Sequence, residues 1–79
     1  MNIHASCIAF GGRGLLILGP SGSGKSTLAL SMMAVGAVLV ADDRTLLWTE
    51  EGRLIAGAPD QIRGRIEARE QAVAGLHGP

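Results

Sequence analysis

Seventy-nine residues, 47% of them hydrophobic, describe one small domain near the lower size at which a single core outweighs conformational entropy, with no room for a second. Seven basic and seven acidic side chains cancel, which removes the electrostatic basis for binding nucleic acid or an anionic membrane, and a lone cysteine, Cys7, excludes an internal disulfide. The longest stretch free of charged and strongly polar residues, 32–41, is about half of the roughly 20 residues that span a bilayer, and MNIHASCIAF lacks the pattern of a signal peptide, so a cytoplasmic setting is expected.

In chain order, Ile3, Ala5, Cys7 and Ala9 alternate with more polar neighbours, and a second apolar run, Leu15 to Leu18, follows Gly11-Gly12-Arg13-Gly14; this predicts an N-terminal β-hairpin. Good helix formers from Ser26 to Val35, with Gly36 as terminator, predict one helix of about ten residues. Ala37 to Ala41 has the look of a strand buried on both faces, ending at Asp42-Asp43. Thr45 to Thr49 and Leu54 to Ala56 predict a second hairpin around Glu50-Glu51-Gly52-Arg53. Pro59 favours a short helix through Arg63, with a strand returning over Arg65 to Arg69. The tail EQAVAGLHGP has no clean period and is expected to be frayed. The expected fold class is α/β: a phosphate-loop nucleotide-binding core over residues 1–69, made of the hairpin, one helix and a following mixed sheet, with a divergent tail at 70–79. A domain this small and without bridges is also expected to self-associate or to belong to a longer whole.

Between the first hairpin and the helix lies GPSGSGKST: Gly19, Pro20, Ser21, Gly22, Ser23, Gly24, Lys25, Ser26 and Thr27. Gly19, Gly24, Lys25 and Ser26 satisfy G-x-x-x-x-G-K-[ST] in the context that gives the pattern meaning, after an apolar strand and before a helix. Glycines at 19, 22 and 24 free the backbone to turn successive N–H groups inward as an anion nest, and the helix N-terminus adds about half a positive charge. Lys25 supplies a full charge for the outer phosphates of ATP, and the Ser26 hydroxyl is a hard oxygen ligand suited to Mg²⁺. The bland alternative, a Gly/Ser-rich turn that happens to precede a helix, explains neither the spacing nor the lysine.

Asp42 follows Lys25 by only 17 residues. A helix of about ten residues carries the chain roughly 15 Å away from the loop, and five strand residues bring it back roughly 16 Å. A β-loop-α-β crossover would therefore set Asp42 and Asp43 at the carboxyl ends of parallel strands beside the phosphates. Alone, such a pair reads as a solvated turn or a helix cap. Beside a phosphate loop, one carboxylate could approach Mg²⁺ and the other could take a proton from an attacking hydroxyl, and two like charges so close should raise the proton affinity of one of them. Which of the two is the base stays open at this level.

The order His4, GPSGSGKS at 19–26, VADD at 40–43 and IEAR at 66–69 resembles the catalytic domain of HPr kinase/phosphorylase, which phosphorylates a serine of the phosphocarrier protein HPr of the phosphotransferase system. More loosely, the chain is similar to the nucleotide core of phosphoenolpyruvate carboxykinases. The resemblance implies ATP and Mg²⁺ as cofactors, an HPr-like partner, a hexameric assembly, Asp43 as general base, Asp42 supporting the metal or base, His4 as a site histidine, and Glu67 as a metal-proximal acid. Without it, His4 reads as a partly exposed or packing residue, Glu67 as a surface ion-pair participant between Arg65 and Arg69, and Trp48 as packing or interface surface. After Arg69 the family pattern continues with a glycine-containing strand, whereas this chain reads Glu70-Gln71-Ala72. Three functions are thus in view: a protein serine kinase acting on HPr, a catalytically silent nucleotide-binding module, and a small-molecule kinase of another phosphate-loop family.

Overall fold

The computed structural model describes residues 1–19, 24–59 and 61–73. Among these, the chain forms β1 (Asn2–Ile3), β2 (Ala5–Phe10), β3 (Arg13–Leu18), α1 (Lys25–Ala34), β4 (Val38–Ala41), β5 (Thr45–Glu50), β6 (Arg53–Ala58) and β7 (Gln61–Val73). The strands make one mixed sheet in the order β1-β5-β6-β7-β3-β2-β4.

Local chemistry accounts for the turns. Phe10 pairs with Arg13 across a two-residue loop in which Gly11 and Gly12 have φ of 60° and 78°, the double positive φ of a type I′ turn, whose twist suits a hairpin. The expected four-residue turn is shorter than its glycines suggested, and Arg13 and Gly14 belong to β3. Glu51 and Gly52, at φ 52° and 78°, close the second hairpin in the same way. The helix stops where expected: Gly36 takes φ 108°, its N–H bonds the Met33 carbonyl, and the Ala37 N–H bonds the Met32 carbonyl, the paired bonds of a Schellman ending.

The β2–β3 hairpin is the centre of the molecule. One face carries Ile8 and Ile17, fully buried against Ala29, Leu28 and Met32 of α1 and against Ala37. The other carries Cys7 and Leu16, buried with Ala41 and with Leu47 and Ala56 of the β5–β6 hairpin. Burial on both faces stabilises by about 1.5–3 kcal/mol for each large aliphatic side chain. The alternation seen in the sequence of β2 is therefore compositional, because Ser6 and Ile8 are as buried as Cys7.

Four expectations need correction. No helix follows Pro59: residues 61–63 begin β7, whose 13 residues pair antiparallel with β6 in the first half and parallel with β3 in the second, joining the two halves of the sheet. That tertiary pairing overrides the local preference of proline for a helix start. Residues 70–73, expected to fray, continue β7 opposite Leu15 to Leu18, while residues 74–79 lie outside the described set. The strand before the aspartates is an edge strand with Val38 and Leu39 exposed, not a strand buried on both faces. Finally, β3 and β4 point the same way but are not paired, since β2 lies between them and is antiparallel to both; the parallel neighbour of β3 is β7. Among the described residues no helix is long and apolar enough to cross a membrane.

Candidate functional site

Strand register decides what meets at one end of the sheet. Ala5, which opens β2, lies opposite Leu18, the last residue before the glycine loop, and Cys7 lies opposite Ala41, the last residue before the aspartates. His4 occupies the break between β1, which pairs with β5, and β2, which pairs with β3 and β4. Thr45, fully buried, clamps this corner by donating from Oγ1 to the Ala5 carbonyl at 2.7 Å. The histidine, the start of the loop and the aspartate turn are thereby forced together.

The side chains complete the convergence. His4 Nε2 lies 2.7 Å from Asp43 Oδ1, an imidazole N–H donating to a carboxylate. Lys25 Nζ donates to the same Oδ1 at 3.3 Å, from a position that is only 6% exposed. These two hydrogen bonds, His4 first and Lys25 second, hold the Asp43 carboxyl below the usual carboxylate range. Like-charge repulsion is expected to raise the proton affinity of one of the pair; for Asp43 the direction is the opposite, its two donors outweighing burial, while the Asp42 carboxylate accepts from the Ser6 hydroxyl at 3.3 Å. Both side-chain hydrogen bonds of Asp43 among the described residues run to Oδ1.

Asp43 also has an unusual backbone. Its φ of 68° is rare for a residue with a Cβ, and the Arg44 N–H bonds back to the Asp42 carbonyl at 2.7 Å, the i→i+2 bond of the uncommon positive-φ γ-turn. Beside this turn opens a cleft of about 690 Å³ lined by residues 39–44, Ala58 and Pro59, within the size range of ligand sites.

The glycine loop is described at its two ends. Gly19 and Gly24 take φ of 142° and 96°, in keeping with the freedom expected of them, and Gly24 caps α1 with Lys25 as its first residue. Pro20, Ser21, Gly22, Ser23 and the side chain of Ser26 lie outside the described residues, and Thr27 is exposed. Glu67 is not drawn into the cluster: it pairs with Arg69 at 3.7 Å, while Arg65 bonds Glu50 at 2.6 Å. Trp48 donates to the same Glu50 at 2.7 Å, in agreement with a packing role. Among the described residues no three His, Cys, Asp or Glu side chains are grouped to hold a metal. Two adjacent carboxylates nonetheless fit Mg²⁺, which is commonly held by one or two carboxylates together with waters and substrate phosphates. Sequence reasoning passed over Ser6 and Thr45, whose only signal was a hydroxyl inside an apolar strand.

Comparison with known proteins identifies the family. The family model described as HPr Serine kinase C-terminal domain matches residues 1–75. The HPr kinase/phosphorylase of Caldicellulosiruptor bescii is 42% identical over 67 residues, covering 84% of this chain, and that of Clostridium tetani is 40% identical over 67 residues, covering 85%. In both cases this chain spans 22% of the relative's length. Among solved structures, the Hpr(Ser) kinase/phosphatase from Coxiella burnetii superposes with a TM-score of 0.68 at 35% identity, over 76% of this chain and 36% of that one. A mixed sheet with one helix, a histidine and a lysine meeting on one aspartate, and a match over nearly the whole length lead to one assignment: the chain belongs to the HPr serine kinase C-terminal domain family.

Proposed function

We propose that this chain carries the nucleotide and phosphoryl-transfer end of an ATP-dependent protein serine kinase acting on the phosphocarrier HPr, with the reverse reaction run through inorganic phosphate. The observation that carries this reading is the meeting of His4 and Lys25 on Asp43 Oδ1, beside the glycine loop. In the forward direction the acceptor serine oxygen bonds the γ-phosphorus, the bond from that phosphorus to the β–γ bridging oxygen breaks, and the serine proton passes to the Asp43 carboxylate. A carboxyl held ionised is ready to accept at neutral pH, and His4 fixes its orientation. Lys25, at the first turn of α1, would steady charge on the phosphates. Mg²⁺, when bound, would neutralise phosphate charge, with Asp42 and Asp43 as the carboxylates at hand and Ser26 as the hydroxyl ligand of the motif.

Incubation with labelled ATP, Mg²⁺ and HPr is expected to give acid-stable phosphoserine, and transfer no greater than that of an Asp43→Asn control would refute the reading. A second reading, a catalytically silent nucleotide-binding module, is favoured by the departure from the family pattern after Arg69, where the chain reads Glu70-Gln71-Ala72. Calorimetric Mg-ATP binding with turnover at background would select it. Homo-oligomerisation belongs to the first reading and is supported by β4, which among the described residues is an edge strand with Val38 63% exposed. A purely monomeric species in sedimentation velocity would remove it.

A further inference from the structure

Ser6 is a polar side chain in the apolar centre of the molecule, 1% exposed, on a strand whose neighbours Ala5, Cys7 and Ile8 are fully buried. Its hydroxyl accepts the Asp43 backbone N–H at 3.1 Å and donates to Asp42 Oδ1 at 3.3 Å. One hydroxyl offers one donor and two acceptor positions, so a single oxygen serves both members of the acidic pair. The turn it serves is strained, with Asp43 at φ 68° and an i→i+2 bond from Arg44 to Asp42. Such conformations persist only where the surroundings over-determine them, and they collect at functional sites.

We propose that Ser6 is a positioning residue of the phosphoryl-transfer site: its buried hydroxyl locks the Asp42–Asp43 turn in the positive-φ form that presents the Asp43 carboxylate to His4 and Lys25. The inference rests on the reading of Asp43 as the proton acceptor, but its structural content stands apart from it. An apolar residue at position 6 would fill the same space and leave the Asp43 N–H without a partner, and the turn would then relax toward the negative φ that residues with a Cβ prefer.

The test uses the full chain as wild type, Ser6→Ala and Ser6→Thr. In the wild type, the Asp43 amide is expected to be protected from hydrogen exchange despite the exposure of its side chain, and to show the strong intraresidue amide–Hα cross-peak of a positive-φ residue. In S6A, Asp43 amide exchange should accelerate about tenfold or more while central β2 and β3 amides hold their protection, as local opening requires. S6T, which retains the hydroxyl, should keep both signatures. An unprotected Asp43 amide in the wild type overturns the proposal even if S6A does not fold, and so does S6A with unchanged Asp43 signals or with protection lost uniformly across the sheet. With labelled ATP and HPr, S6A should lose about tenfold in kcat with KM for ATP unchanged, the split expected when a transition-state interaction is removed. Absence of transfer by the wild type would defeat the kinase reading and leave the exchange data to decide the role of Ser6.

Discussion

Lys25 Nζ lies 3.3 Å from Asp43 Oδ1 although the two residues are 18 apart in the chain. A ten-residue helix out and a four-residue strand back cover nearly equal distances, so the crossover returns the chain to the end of the sheet from which it left. The contact ties the glycine loop to the acidic turn.

The Asp43 carboxyl should titrate below 3.8, its ordinary value, when followed by carboxyl NMR. His4→Ala should raise the midpoint more than Lys25→Met does, because the histidine hydrogen bond is the larger cause. The sign for stability follows from linkage: a carboxyl whose folded value is depressed contributes fully above the unfolded value and loses that contribution as pH falls through the folded one. The side chain is 59% exposed, so added salt should shrink the shift. A midpoint at or above 3.8 in the wild type would contradict the geometry.

On the proposed function, Lys25→Ala would remove a charge-assisted bond to a phosphate worth about 1.5–3 kcal/mol, equivalent to about 10- to 150-fold in affinity. Isothermal calorimetry with Mg-ATP should show that weakening. Unchanged affinity in a variant that still unfolds cooperatively would remove the nucleotide from the loop.

Gly14 stands where β3 meets β7, and a Cβ there would come within 2.7 Å of the Ile66 Cγ2 and 2.9 Å of the Glu67 carbonyl oxygen. The carbonyl belongs to backbone held in two ladders and cannot swing aside. Gly14→Ala should cost about 1–3 kcal/mol in urea unfolding, the range for overpacking. Gly12→Ala meets no such neighbour and would instead report the strain of a positive φ alone.

Burial lifts the Cys7 thiol to about 11, so little thiolate is present at neutral pH. Thiol reagents should leave the native protein unmodified and react stoichiometrically once urea unfolds it. Rapid labelling of the folded chain would mean that the β2–β3 centre opens far more readily than its packing implies.

Much of the site could be read from residues alone. The glycine loop, the helix and its Gly36 ending, the second hairpin and the return of the acidic pair to the loop all follow from local backbone preferences and segment lengths, which act over a few residues at a time. The register that brings His4 into the group was available only through family resemblance, because its partner lies 39 positions away. The helix expected after Pro59 failed for the same kind of reason: local preference yielded to the two ladders that β7 closes with β6 and β3.

The residues themselves determined that a glycine-rich loop, a ten-residue helix and an acidic strand end occur in that order, since spacing and φ preference are properties of the chain at short range. Only the tertiary structure decided that β2 would lie between β3 and β4, that Ser6 would reach both aspartates from the buried centre, and that two donors would keep Asp43 ionised. Those outcomes depend on which distant surfaces bury one another, and no local signal carries that information.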